Sequence, residues 1–247
     1  MTLFKTLVTT HKNQFKALAI VIVLVLGGVG LLSYSNSSFF QRFLGEVNPL
    51  LAISLSGVLG FLSLSFLLSK EWFTIHKKYP LKKVLPYTGL TLLFASVAIL
   101  IDINIVYPAD MNIPFPESLL FYPVIAFLVE IIFHVLPLTL LLIVATSVFR
   151  KSDCGKLVLP CILIVALFEP TYQIIFMDNY PIWATGAVWI NLFLFNITQL
   201  FIFKKYGFLS MYVLRLVYYL FWHIIWGALR LELLFLIALD FQLDFFF

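Results

Sequence analysis

The sequence predicts an all-α bundle of seven to eight membrane-spanning helices. Three observations carry that expectation. Hydrophobic residues make up 62% of the 247 positions and charged residues only 11%, against about 25% charged in a soluble domain. Mean hydropathy is +1.05. Lys and Arg collect at every second boundary between apolar runs, at the N-terminus, 70–83, 150–156 and 204–205. That alternation follows the positive-inside rule and places the N-terminus in the cytoplasm.

The runs follow in order along one membrane domain, 1–247. Span 1 is expected over roughly Ala17–Tyr34. It follows Lys5, Lys12 and Lys16 as a signal peptide would, but lacks a small-x-small cleavage pattern and reads as a retained span. Gly27, Gly28 and Gly30 suit close helix packing. Span 2, Leu50–Leu68, carries four serines that can bond to backbone or to a neighbouring helix. The following loop sets Lys70, Lys77, Lys78, Lys82 and Lys83 against Glu71, with Trp72, Phe73 and Tyr79 among them, a mixture suited to the headgroup surface. Span 3 is Leu85–Val106, with Asp102 near its outer end, where solvation is expected.

Span 4, Leu119–Phe149, exceeds the ~20 residues needed to cross a bilayer, so it should tilt, kink at Pro137 or protrude. Span 5 is Leu157–Met177 with Glu169-Pro170 inside it. Span 6 is Ile182–Phe203, where Asn191 and Gln199 should hydrogen-bond between helices. Span 7 is Phe208–Leu229, with Arg215, Tyr218, Tyr219 and His223. The run Leu231–Leu239 suits a half-span or a tilted eighth. Cys154 and Cys161 have no metal or redox spacing and read as free thiols. The net charge of +4 lies in short loops between apolar runs and is no nucleic-acid signal; membrane lipids are the expected surroundings, with a prokaryotic plasma membrane as the working location.

Ionisable residues inside a bilayer cost about 2.5–3.5 kcal/mol each at the centre and mark functional sites. Glu130 and His134 stand four apart and share a helix face. Counted at 1.5 Å per residue, Glu130 lies ~17 Å into span 4, Glu169 ~18 Å into span 5 and His223 ~22 Å into span 7. In a hydrocarbon core of ~30 Å these three lie within several Å of one depth, with His134 about one turn further in. Two carboxylates and two imidazoles at one level could hold Zn²⁺ or a similar divalent ion, with one position open for water. Alternatively they pair and only bind the bundle together: Glu130 with His134 or Arg215, Glu169 with His223. Arg215 is expected to snorkel or to meet a site carboxylate. Tyr218, Tyr219, Trp222 and Trp226 read as packing or belt residues.

The layout of 118–229 resembles the CPBP family of intramembrane metalloproteases, which includes CAAX prenyl endopeptidases and bacteriocin-processing relatives. Val129-Glu130-Ile-Ile-Phe133-His134 looks like the family's Glu-Glu-x-x-x-Arg motif, with Val129 and His134 standing at its first Glu and its Arg. Phe168-Glu169-Pro-Thr-Tyr172 is similar to its Phe-x-x-x-His motif, with Tyr172 at the His. His223-Ile-Ile-Trp-Gly227 is similar to its His-x-x-x-Asn motif, with Gly227 at the Asn. The resemblance implies a metal-dependent peptidase acting on a membrane protein or lipidated peptide. His134, His223 and Glu169 would hold the metal and Glu130 or Glu169 would polarise water, with Phe133, Phe168 and Arg215 in support. The other class open to this pattern is a non-catalytic scaffold, or a transporter whose proton or solute path uses Asp102, Glu130, Glu169 and Arg215.

Overall fold

A computed structural model describes residues 2–35, 37–79, 81–105, 107–108, 111–149, 154–175, 177 and 179–230. Among these the chain is helical, with no strand, and seven helices are long and apolar enough to cross a membrane: Lys12–Tyr34, Pro49–Ser69, Leu85–Ile105, Ser118–Val148, Gly155–Ile174, Ile182–Tyr206 and Phe208–Arg230. They match spans 1 to 7 to within a few residues at each end. This is an integral multi-pass membrane protein. The expected run Leu231–Leu239 lies outside the described residues. A further short helix, Thr2–Thr10, precedes span 1.

Spans 4, 5, 6 and 7 form the centre. Span 6 packs against spans 3, 5 and 7, span 7 against spans 3 and 4, and spans 1 and 2 cover span 4 from outside. Leu24, Leu62, Leu93 and Val144 stay exposed, as side chains facing lipid tails should. Phe121, Phe127, Phe195, Phe203 and Phe208 fill the interior.

Two of the central helices widen into π turns, Glu130–Val135 in span 4 and Leu220–Ile225 in span 7. The first precedes Pro137, which lacks an N–H and whose ring crowds the carbonyl four residues back, at Phe133. An inserted residue relieves that crowding, so the expected kink takes the form of a π turn. Span 5 breaks at Ala166–Leu167 for a related reason. Pro170 cannot donate to the Ala166 carbonyl, and the Asn196 side-chain amide of span 6 donates to it instead, at 3.5 Å.

The loop after span 2 is tied into the lysine-rich end of the bundle. Ile75 and His76 donate backbone N–H groups to Gln14 Oε1 at 2.9 and 3.2 Å. Phe208 and Leu209 donate to the carbonyls of Thr74 and Ile75, both at 3.0 Å. That pairing requires Gly207 between spans 6 and 7. Its φ is +97°, and a Cβ there would stand 2.9 Å from the Ile75 carbonyl oxygen. Gly207→Ala is therefore expected to lower stability by roughly 1–3 kcal/mol. Thermal unfolding in detergent should show this as a lower midpoint, and an unchanged midpoint would refute it.

Candidate functional site

Arg215 is the centre of the site. It is fully buried on span 7. Its Nε donates to Glu130 Oε1 at 2.8 Å. Its Nη1 and Nη2 donate to the two oxygens of Glu169 at 2.7 and 2.8 Å. This bidentate fork is the strong form of a charge-assisted hydrogen bond. Nη2 also lies 3.4 Å from Asn196 Oδ1. The guanidinium lies 5.2 Å from the Phe195 ring centre and 5.8 Å from that of Tyr219, distances that suit a cation–π contact.

Glu130 is fully buried and Glu169 is 2% exposed. Gln199 Nε2 of span 6 donates to Glu130 Oε1 at 2.7 Å and to the Met211 carbonyl at 3.3 Å. His134 is fully buried between the carboxylates. Its Nδ1 lies 2.9 Å from Glu130 Oε2 and its Nε2 lies 3.7 Å from Glu169 Oε2. Four helices thus contribute to one centre: span 4 gives Glu130 and His134, span 5 Glu169, span 6 Asn196 and Gln199, span 7 Arg215.

The structure brings together Glu130, His134, Glu169 and Arg215, but not His223. Glu169 pairs with Arg215 rather than with His223. His223 lies eight residues beyond Arg215, ~12 Å along the helix at 1.5 Å per residue. It stacks on Tyr122, with ring centres 4.5 Å apart, and meets Tyr219 edge-on at 4.9 Å. Asn112 Nδ2 lies 3.3 Å from His223 Nδ1 and donates to the His223 carbonyl at 3.2 Å. A Cβ on Gly227 would stand 2.8 Å from Asn112 Nδ2, so the Asn112 carboxamide fills the space beside Gly227. Phe133 packs on Tyr172 at 5.2 Å, and Phe168 is exposed.

The expected solvated Asp102 is instead buried, 2% exposed. Its Oδ1 accepts from the Tyr107 backbone N–H at 2.9 Å. Its Oδ2 accepts from Trp226 Nε1 at 2.7 Å and lies 2.7 Å from Arg230 Nε. Trp226 is thus a packing residue against the core, as one of the two expected roles has it, and its indole also donates to Asp102. Arg230 Nη1 also donates to the Pro108 carbonyl at 3.1 Å and contacts Asn112 Oδ1 at 3.4 Å. Burial and the Asp102 carboxylate together push the Tyr107 phenol up from its ordinary pKa.

Sequence reasoning missed Asn112, Tyr122 and Arg230. One signal for Arg230 was present. Arg215, Tyr219, His223, Trp226 and Arg230 fall within roughly 80° of one helix face at 3.6 residues per turn. Asn112 had no such signal, because it lies in a loop that folds back onto span 7.

The residues do not fit a metal ion held by His134, His223 and a glutamate. The Arg215 cation already lies between both carboxylates, and His223 lies elsewhere on Asn112 and Tyr122. Among the described residues no three His, Cys, Asp or Glu side chains are grouped to hold a metal. No protein-family model, curated protein or solved structure matches this chain.

Proposed function

We propose that this is a membrane carrier that binds a proton at the Glu130–His134–Glu169 centre. The observation that carries the reading is the polar stripe of span 7. From the acidic, lysine-poor end it runs through Arg230, Trp226, His223 and Tyr219 to Arg215, with Asp102 and Asn112 attached along the way. Ionisable residues at such depth mark ion paths and proton relays. A proton needs no solute-sized cavity, only groups that accept and release it. Two carboxylates against one guanidinium leave one negative charge, and a proton on His134 would cancel it. The imidazole stands between carboxylates of two helices, 2.9 Å from Glu130 and 3.7 Å from Glu169, and neither ring nitrogen is hydrogen-bonded in this arrangement, so a small shift of the ring would carry a proton from one side to the other. Both π turns lie on helices that build this path, and π turns recur at functional sites. The proposal includes the orientation read from the Lys/Arg alternation, with the lysine-rich face in the cytoplasm.

The test is reconstitution into liposomes containing a pH-sensitive dye, with an imposed pH gradient. Flux above that of empty liposomes is expected, and Glu130→Gln or His134→Gln should reduce it at least about a hundredfold, the low end of what a positioned proton-transfer group contributes. Flux no greater than that of empty liposomes, or undiminished in both variants, would overturn the reading.

A second reading, a CPBP-like hydrolase, draws support from one observation. The Asn112 carboxamide lies beside Gly227 and against His223, where the resembled motif carries its own amide four residues after the His. Cleavage of a lipidated peptide, lost on His223→Ala, would favour that reading over a carrier.

A further inference from the structure

Away from the charged centre, a cavity of about 530 Å³ opens at the lysine-rich end of the bundle. It is lined by Lys77, Lys78 and Lys83 from the loop between spans 2 and 3, by Tyr87 at the start of span 3, and by Lys205 and Tyr206 at the end of span 6. The four lysines are exposed, and among the described residues no carboxylate pairs with them.

The pocket is built rather than accidental. Lys205 Nζ lies 5.1 Å from the Tyr206 ring centre and 5.7 Å from that of Tyr87, and donates to the Tyr87 hydroxyl at 3.4 Å. That fixes one ammonium inside the cavity. The Tyr79 hydroxyl is hydrogen-bonded to Ser210 Oγ. The loop carrying Lys77 and Lys78 is pinned by Gln14 and by the Thr74–Ile75 pairing with Phe208–Leu209. Its level is set by the chain, since Tyr87 stands in the first turn of one span and Tyr206 closes another. Tyrosines at span ends lie at headgroup depth. Uncompensated lysines between spans at that depth form a receptor for anionic headgroups.

We propose that this cavity binds the phosphate of an anionic phospholipid. The lysine ammoniums supply donors to its oxygens, and Tyr87 and Tyr206 supply the ring walls. The site is independent of the proton path and stands or falls separately from it.

The experiment uses full-length protein, delipidated in a neutral detergent. It is titrated with dioleoyl phosphatidylglycerol, with dioleoyl phosphatidylcholine and with sodium phosphate, and read by native mass spectrometry. Phosphatidylglycerol should remain bound at one copy, at least about tenfold more tightly than phosphatidylcholine. Lys83→Gln with Lys205→Gln should abolish that preference while leaving the unfolding midpoint unchanged, since both side chains are exposed. Lys77→Gln with Lys78→Gln is the second variant and should weaken binding in the same direction. Equal binding of the two lipids, a preference that survives both double variants, or binding of phosphate without lipid would overturn the proposal.

Discussion

Arg215→Met should be among the most destabilising single changes in the chain. Removing one partner of a buried ion pair costs about 3–5 kcal/mol, because the opposite charge stays buried without compensation. Here one guanidinium serves two carboxylates, so both Glu130 and Glu169 would be left in the interior. Gln199 would still donate to Glu130, but Glu169 would keep only its distant contact with His134. Arg215→Lys should fall between methionine and the parent, because an ammonium cannot make the bidentate fork to Glu169. The control is the triple variant Arg215→Met, Glu130→Gln, Glu169→Gln. It removes the charges together and should regain much of the lost stability, since well-packed neutral replacements of buried ion pairs are often tolerated. The measurement is the unfolding midpoint in detergent for the set. A midpoint for Arg215→Met equal to that of the parent, or a triple variant no better than the single one, would show that the network does not hold the bundle.

The span count and most of the centre were legible because composition and depth are one-dimensional. Apolar length finds a membrane helix without knowledge of its neighbours, and the spacing of Glu130 and His134 survives even the π turn that alters their helix. Depth also paired Glu130 with Glu169 across two spans. It failed for His223 because the count for span 7 began at Phe208 as if that residue stood at the membrane edge. Phe208 is fully buried, and its backbone is bonded to the inserted Thr74 segment. Phe208 therefore stands deeper than the count assumed, which moves His223 toward the lysine-poor end and leaves Arg215 level with the carboxylates. Asn112 and Asp102 were misjudged for a different reason. Their burial is made by a loop and by Arg230, whose approach depends on tertiary folding and leaves no periodic trace. Asn196 was visible only as a polar residue in a span. Its role follows from Pro170, which frees a carbonyl that some donor must meet.

The second large effect is expected at Asp102. In Asp102→Ala three donors lose their acceptor together: the Tyr107 backbone N–H, Trp226 Nε1 and Arg230 Nε. An unsatisfied buried donor costs about 1–3 kcal/mol, and more where it is charged. Arg230 would keep the Pro108 carbonyl and Asn112, so its loss is partial. A total of roughly 3–5 kcal/mol is expected, near that for Arg215→Met. Asp102→Asn separates the contributions. Its amide oxygen can still accept one of the three bonds, but the charge on Arg230 is left uncompensated, so it should recover only part of the loss. The consequence reaches beyond stability. Arg230 and Trp226 hold the lysine-poor end of span 7, and Asn112 touches Arg230 on one side and His223 on the other. Loss of Asp102 should therefore free Tyr107, Pro108 and Asn112 and uncover the His223 face. Hydrogen exchange followed by mass spectrometry should show faster exchange in peptides covering 107–113 and 222–230, with the centre around 196–215 unchanged. Acceleration at 196–215 as well would mean that the two polar clusters unfold as one unit, and would count against a path with separable end and central segments.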